Sequence, residues 1–184
     1  MKTIPCLIIL ASMMAASGQA QEARSTAQLI RVKPHRYFGV AEGPKSERVM
    51  EGPVSASPVE LEDASIDQGG MGRYRSHVTV KNADSVKTIT RIEWRVDVYD
   101  EQRRTMHDQF FLSRDTNIKP NASRKTDTKI GASGSDKAVL PERAIAVVQL
   151  SAVTYSDGST WAAAVECKPS EDLKLITCDT KKPR

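Results

Sequence analysis

Between residues 59 and 165 apolar and polar side chains alternate in short runs separated by turn-forming residues, the pattern of strands with one face against a core. The clearest run is 88–100, where Ile92, Trp94, Val96 and Val98 fall on one side and Arg91, Glu93, Arg95, Asp97 and Tyr99 on the other. A helical period of about 3.6 residues scatters both sets around a cylinder, so the run is predicted as a strand with Trp94, Val96 and Val98 facing inward. An earlier run puts Tyr74, Ser76, Val78 and Val80 on one face and Arg73, Arg75, His77, Thr79 and Lys81 on the other, ending at Asn82-Ala83-Asp84-Ser85. Val59-Glu60-Leu61-Glu62 opens the pattern, and 105–112 carries Met106, Phe110 and Phe111. The polar run 123–130 suits a sheet edge, and the Gly/Ser-rich 131–136 reads as loop.

The last predicted hairpin joins 144–155 to 159–165 through Ser156-Asp157-Gly158. A three-residue loop with Gly158 in the left-handed region puts Val153 and Tyr155 on one face with Ser159 and Trp161; a two-residue Asp-Gly turn sets Trp161 beside Thr154 instead. The first form gathers Tyr155 and Trp161 on the core side. Val148 and Leu150 have the opposite parity to Val153 and Tyr155, which requires a bulge near Ser151 or burial of both faces. No amphipathic helix of useful length interrupts the series. The expectation is an all-β fold: about seven strands in an antiparallel β-sandwich over 59–166, with Trp94, Val96, Val98, Tyr155 and Trp161 in its core.

The N-terminus follows another rule. Met1-Lys2-Thr3 is a short positive start, 4–17 is almost uninterrupted apolar sequence, and Gly18-Gln19-Ala20 offers small residues for cleavage. This reads as a secretory signal peptide over 1–20, cut near Ala20. The apolar run falls short of the roughly 20 residues a membrane-crossing helix needs, so no transmembrane segment is expected in the mature chain. Cys6 lies at the front of that run, where a lipid-modified cysteine does not. Residues 21–58 mix Pro, Gly and charge without a period and are expected to form an extended or disordered arm; its two apolar clusters, Leu29-Ile30-Arg31-Val32 and Tyr37-Phe38-Gly39-Val40, are candidates for an added edge strand.

Export changes the meaning of the cysteines. Of three, only Cys167 and Cys178 remain after the leader, and in an oxidising compartment they are expected to form a disulfide stapling a C-terminal tail over 167–184. Their spacing is too wide for a Cys-x-x-Cys redox motif. The formal net charge is +4, with basic and acidic residues interspersed and a dense basic run only at Lys181-Lys182-Pro183-Arg184. That distribution reads as a solvated tail rather than a nucleic-acid footprint.

The Asn82 strand end, the Trp94 strand, the polar loop and strand after it, and the Tyr155-Ser156-Asp157-Gly158-Ser159-Thr160-Trp161 hairpin together resemble the immunoglobulin-like β-sandwich proteins exported by bacteria, including the FxLYD type. The resemblance covers roughly 59–165. It implies the fold and an adhesive or accessory habit, and it transfers no catalytic residues. Where the FxLYD type carries an aromatic-Leu-Tyr-Asp run, this chain has Val96-Asp97-Val98-Tyr99-Asp100, a partial match.

Candidate chemistry is sparse. His35, His77 and His107 fall in separate segments outside any metal-ligand spacing, and Met106 and His107, as strand neighbours, point to opposite faces. The Ser residues of 131–136 do not form a Gly-x-Ser-x-Gly elbow, and Glu60 with Glu62, or Asp97 with Asp100, read as solvated carboxylates. Asn121-Ala122-Ser123 matches a glycosylation sequon that bacterial export normally leaves unmodified. The functional expectation is a non-enzymatic periplasmic or extracellular interaction or structural module without a cofactor. It meets a protein or cell-envelope component, not nucleic acid, through the solvent face bearing Arg91, Glu93, Arg95 and Asp97 or through backbone pairing along 123–129. The alternative is a small-ligand or metal-binding accessory protein of the cell envelope using His77 or His107.

Overall fold

The two-residue alternation becomes strand after strand in the computed structural model, which describes residues 24–32, 47–51, 54–55, 57–69, 73–131 and 140–180. The predicted leader over 1–20, the cluster at Tyr37, residues 132–136 of the predicted loop and the basic terminus lie outside the described residues. Among those described there is no helix.

The larger sheet contains β2 (Ala27–Val32), β3 (Glu47–Glu51), β7 (Ile89–Asp100), β8 (Thr105–Ile118) and β10 (Ala144–Tyr155), in the order β3-β2-β10-β7-β8. A short β11 (Thr160–Ala162) continues the β10 edge beyond the end of β2. The smaller sheet has β5 (Val59–Gly69), β6 (Arg73–Asn82) and β9 (Ser123–Ile130), in the order β5-β6-β9. Two short pairs complete the set: β1 (Arg24–Ser25) with β4 (Val54–Ser55), and β12 (Val165–Pro169) with β13 (Ile176–Thr180). All these pairings are antiparallel.

The two sheets close face to face as a β-sandwich over one apolar layer. Trp94, Val96 and Val98 of β7 meet Val78 and Val80 of β6 and Leu61 and Ile66 of β5 there. Each large side chain sealed in that layer contributes about 1.5–3 kcal/mol relative to exposure. Several polar groups in and beside the layer are bonded: Trp94 Nε1 donates to Ser76 Oγ across the sheets at 3.1 Å. Gln28 Nε2 donates to the Leu61 carbonyl at 2.8 Å, beside the register shift between Leu61 and Asp63. Asn82 is fully buried and donates through Nδ2 to the carbonyls of Lys87 at 2.7 Å and Ile118 at 3.0 Å, fastening the end of β6 to the segment before β7 and to the end of β8.

The parity conflict in β10 has both of its possible resolutions at once. The register against β7 shifts between Leu150 and Ala152, so Val148 and Leu150 face the same core as Val153 and Tyr155. On the reverse face Ile145 and Val147 join Ala27 and Leu29 in a second apolar cluster with Cys167 and Leu173. At the following turn Gly158 has φ +80°, Tyr155 N–H donates to the Ser159 carbonyl at 2.9 Å, and Val153 pairs with Trp161. This is the three-residue loop with glycine in the left-handed region.

Two boundaries move. The expected arm over 21–58 includes β2, which is not an edge addition but an inner strand between β3 and β10, with Leu29 and Ile30 fully buried. Two-sided burial requires a nearly continuous apolar run, and Leu29-Ile30-Arg31-Val32 is too short to display one unambiguously. Likewise the C-terminal segment is no pendant tail: β12 and β13 lie over the second cluster, joined by the Cys167–Cys178 disulfide between directly paired residues. Leu173, in the connecting loop, takes φ 57° while burying its side chain against that cluster.

Candidate interaction surface

The outer face of β7 divides in two. At one end Arg91 and Glu93 stay exposed to a substantial degree, and Arg91 pairs with Glu93 and with Asp115 of β8, each at 3.1 Å, while also donating to Ser113 Oγ at 2.8 Å. Farther along, β12 and β13 cover Arg95 and Asp97, whose side chains are 12% and 3% exposed. Of the four residues expected from alternation to form a solvent face, Arg91 and Glu93 are substantially exposed and Arg95 and Asp97 are not. Period two reports that a side chain leaves the core, not that water receives it.

Beneath the disulfide hairpin the charges form a closed arrangement. Arg95 Nε lies 2.9 Å from Asp97 Oδ2, although its N–H is not aligned for a hydrogen bond, and Arg95 Nη1 pairs with Glu166 at 2.6 Å. Arg95 Nη2 donates to the Cys167 carbonyl at 3.3 Å, and Gln109 Nε2 donates to Asp97 Oδ1 at 2.8 Å. Burial pushes the Asp97 carboxyl above its ordinary range, against the pull of Gln109 and Arg95. Gln149 holds the hairpin from below, donating to the Val165 carbonyl at 2.8 Å and accepting from Cys167 N–H at 3.1 Å. Gln109, Gln149 and Glu166 were not singled out by the sequence pattern. The Val165-Cys167 and Ile176-Cys178 alternations are the signal for the covering hairpin.

Two long strands border the open side of the sandwich. Among the described residues β8 pairs only with β7 and β9 only with β6, so each leaves one backbone edge without a strand. The turn 119–122 carries the chain from one sheet to the other; Asn121 has φ 57°, and Ala122 N–H donates to the Lys119 carbonyl. A cleft of about 400 Å³ lies here, lined by Arg75, Arg114, Asp127, Thr128 and Lys129. Arg75 is ion-paired to Asp127, leaving Arg114 and Lys129 to make the cleft basic. Of the β9 residues, Ser123, Arg124, Lys125 and Lys129 are exposed.

The histidines are not brought together. His77 sits on β6 of the smaller sheet with Nε2 3.0 Å from Asp67 Oδ2, His107 sits on β8 of the larger, and His35 lies outside the described residues. Among the described residues no three His, Cys, Asp or Glu side chains gather into a metal-ligand group. No described helix is long and apolar enough to cross a membrane. Of the sequence-predicted core residues, Trp94, Val96, Val98 and Tyr155 are buried and Trp161 packs partly buried against them. No family model, no curated protein and no solved structure matches the chain.

Proposed function

We propose that this protein is a non-enzymatic interaction module, exported with loss of a leader near Ala20, whose β9 edge receives an extended segment of a protein partner in the periplasm or outside the cell. The observation that carries this reading is the eight-residue β9, which has β6 on one side and no described strand on the other. An exposed edge offers backbone donors and acceptors in register, and strand addition takes its affinity from them and its specificity from flanking side chains. Arg124, Lys125 and Lys129 flank this edge and deter indiscriminate pairing of like chains, so an acidic partner segment suits it. The immunoglobulin-like resemblance and the disulfide fit an exported adhesive or accessory role.

The test is photo-crosslinking from a reactive residue placed at Lys125, with Lys174 of the connecting loop as control position. The expected result is a discrete, salt-sensitive protein adduct from the β9 position alone. Equal or absent adducts from both positions reject the reading.

A further inference from the structure

The other free edge has a property that β9 lacks. From Asp108 to Asp115 the fourteen-residue β8 pairs with β7 without a register shift. This straight stretch contains neither Lys nor Pro, two devices that commonly protect an edge. Phe110 and Leu112 turn toward the core, whereas Phe111 points to the outer face and is 74% exposed. Asp108 and Arg114 are both exposed, and neither forms an ion pair among the described residues.

When two copies of one strand pair antiparallel about a two-fold axis normal to the sheet, opposite residues must share a face, so the axis passes through a residue. An axis at Phe110 sets Asp108 against Leu112, and one at Leu112 sets Phe110 against Arg114. At Ser113 the axis opposes Leu112 to Arg114. Centring on Phe111 sets Asp108 against Arg114 twice, Gln109 against Ser113, Phe110 against Leu112, and Phe111 against itself. Of these centres it alone matches charge with charge and apolar with apolar.

We propose that β8 is a homodimer contact, in which two chains pair antiparallel about an axis through Phe111 and join their larger sheets into one. The occupant is a second copy because the charge order along the strand is complementary to its own reverse. The basic cleft strengthens this assignment, since Arg114 lines it and the second copy's Asp108 arrives opposite Arg114. An edge-only contact belongs to the small class of interfaces, under about 1,200 Å², so association is concentration-dependent. This proposal does not rest on the partner reading for β9, because it uses the edge strand of the other sheet, on the same side of the sandwich, and a different occupant.

Sedimentation velocity of the protein over a concentration series, for wild type, D108R, R114D and the double variant D108R/R114D, tests it. Wild type is expected to dimerise reversibly. Each single variant places like charges opposite one another at two symmetric positions and is expected to weaken the dimer about tenfold, and the double variant to restore it. F111E, at an exposed position, adds a second disruption if either charge variant folds poorly, with thermal melts as the folding control. A wild type that stays monomeric throughout, a dimer indifferent to every substitution, or a folded double variant that fails to recover overturns the proposal.

Discussion

Trp94 of the larger sheet donates its indole N–H to Ser76 Oγ of the smaller at 3.1 Å, and both residues are buried. The bond satisfies the one polar atom of the largest side chain in the layer and fixes the lateral position of the sheets. Ser76→Ala removes the acceptor while leaving the indole N–H buried, at a cost of about 1–2 kcal/mol. Urea unfolding is expected to show a lower midpoint with an unchanged slope. An unchanged midpoint means the bond does not hold the sheets.

The inward sets of β6 and β7 were legible because each strand has one face against the core and the other bearing polar groups, so period two survives in the residues. That clarity fails at β2 and β10, where both faces are covered and parity carries no direction. It also fails at Arg95 and Asp97, whose charges imply solvent until Glu166, Cys167 and Gln109 occupy that space. Pairing between distant segments, such as β2 with β10, leaves no local mark on either. The edge status of β9 was readable from polarity; that of β8 was hidden by Phe110, Phe111 and Leu112.

Tyr155 gives a stability test at alkaline pH. Its hydroxyl is buried without a hydrogen-bond partner among the described residues, and burial, reinforced by Asp84 and Asp157, pushes its pKa up to about 12. The folded chain therefore holds this proton where the unfolded chain releases it near 10.0, and stability falls as pH rises between those values. Tyr155→Phe removes the unpaired hydroxyl and is expected to be neutral or stabilising by up to about 1 kcal/mol at neutral pH. It is also expected to flatten the alkaline loss in thermal melts. A large destabilisation at neutral pH contradicts the unpaired state of the hydroxyl.

Replacing both Cys167 and Cys178 by Ala tests whether the hairpin belongs to the domain. The bridge closes a short loop, sequence separation 11, and its loss is expected to cost about 2–3 kcal/mol. The opening should be local first, because β12 has little described contact with the sheet outside the second apolar cluster and the Arg95 and Gln149 bonds. Hydrogen exchange is expected to accelerate in β12 and β13 before the inner strands. Uniform acceleration throughout the chain rejects a locally opening cover.

Asp97 makes the cover sensitive to protons with a definite sign. Burial raises its folded pKa above the ordinary 3.8, so the folded chain retains a proton that the unfolded chain has lost. The resulting stability is present below 3.8 and is lost as pH rises through the elevated folded value. Asp157 acts oppositely: Ser159 and Lys87 hold it at about 2, and its contribution disappears as pH falls from 3.8 toward that value. A wild-type profile mixes the two, whereas the difference between wild type and Asp97→Asn retains Asp157 in both chains and isolates Asp97. Urea unfolding at a series of pH values is expected to show the wild type losing stability relative to Asp97→Asn as pH rises. The opposite slope means that Arg95 and Gln109 outweigh burial, and that the carboxylate is held by its partners more firmly than desolvation disfavours it.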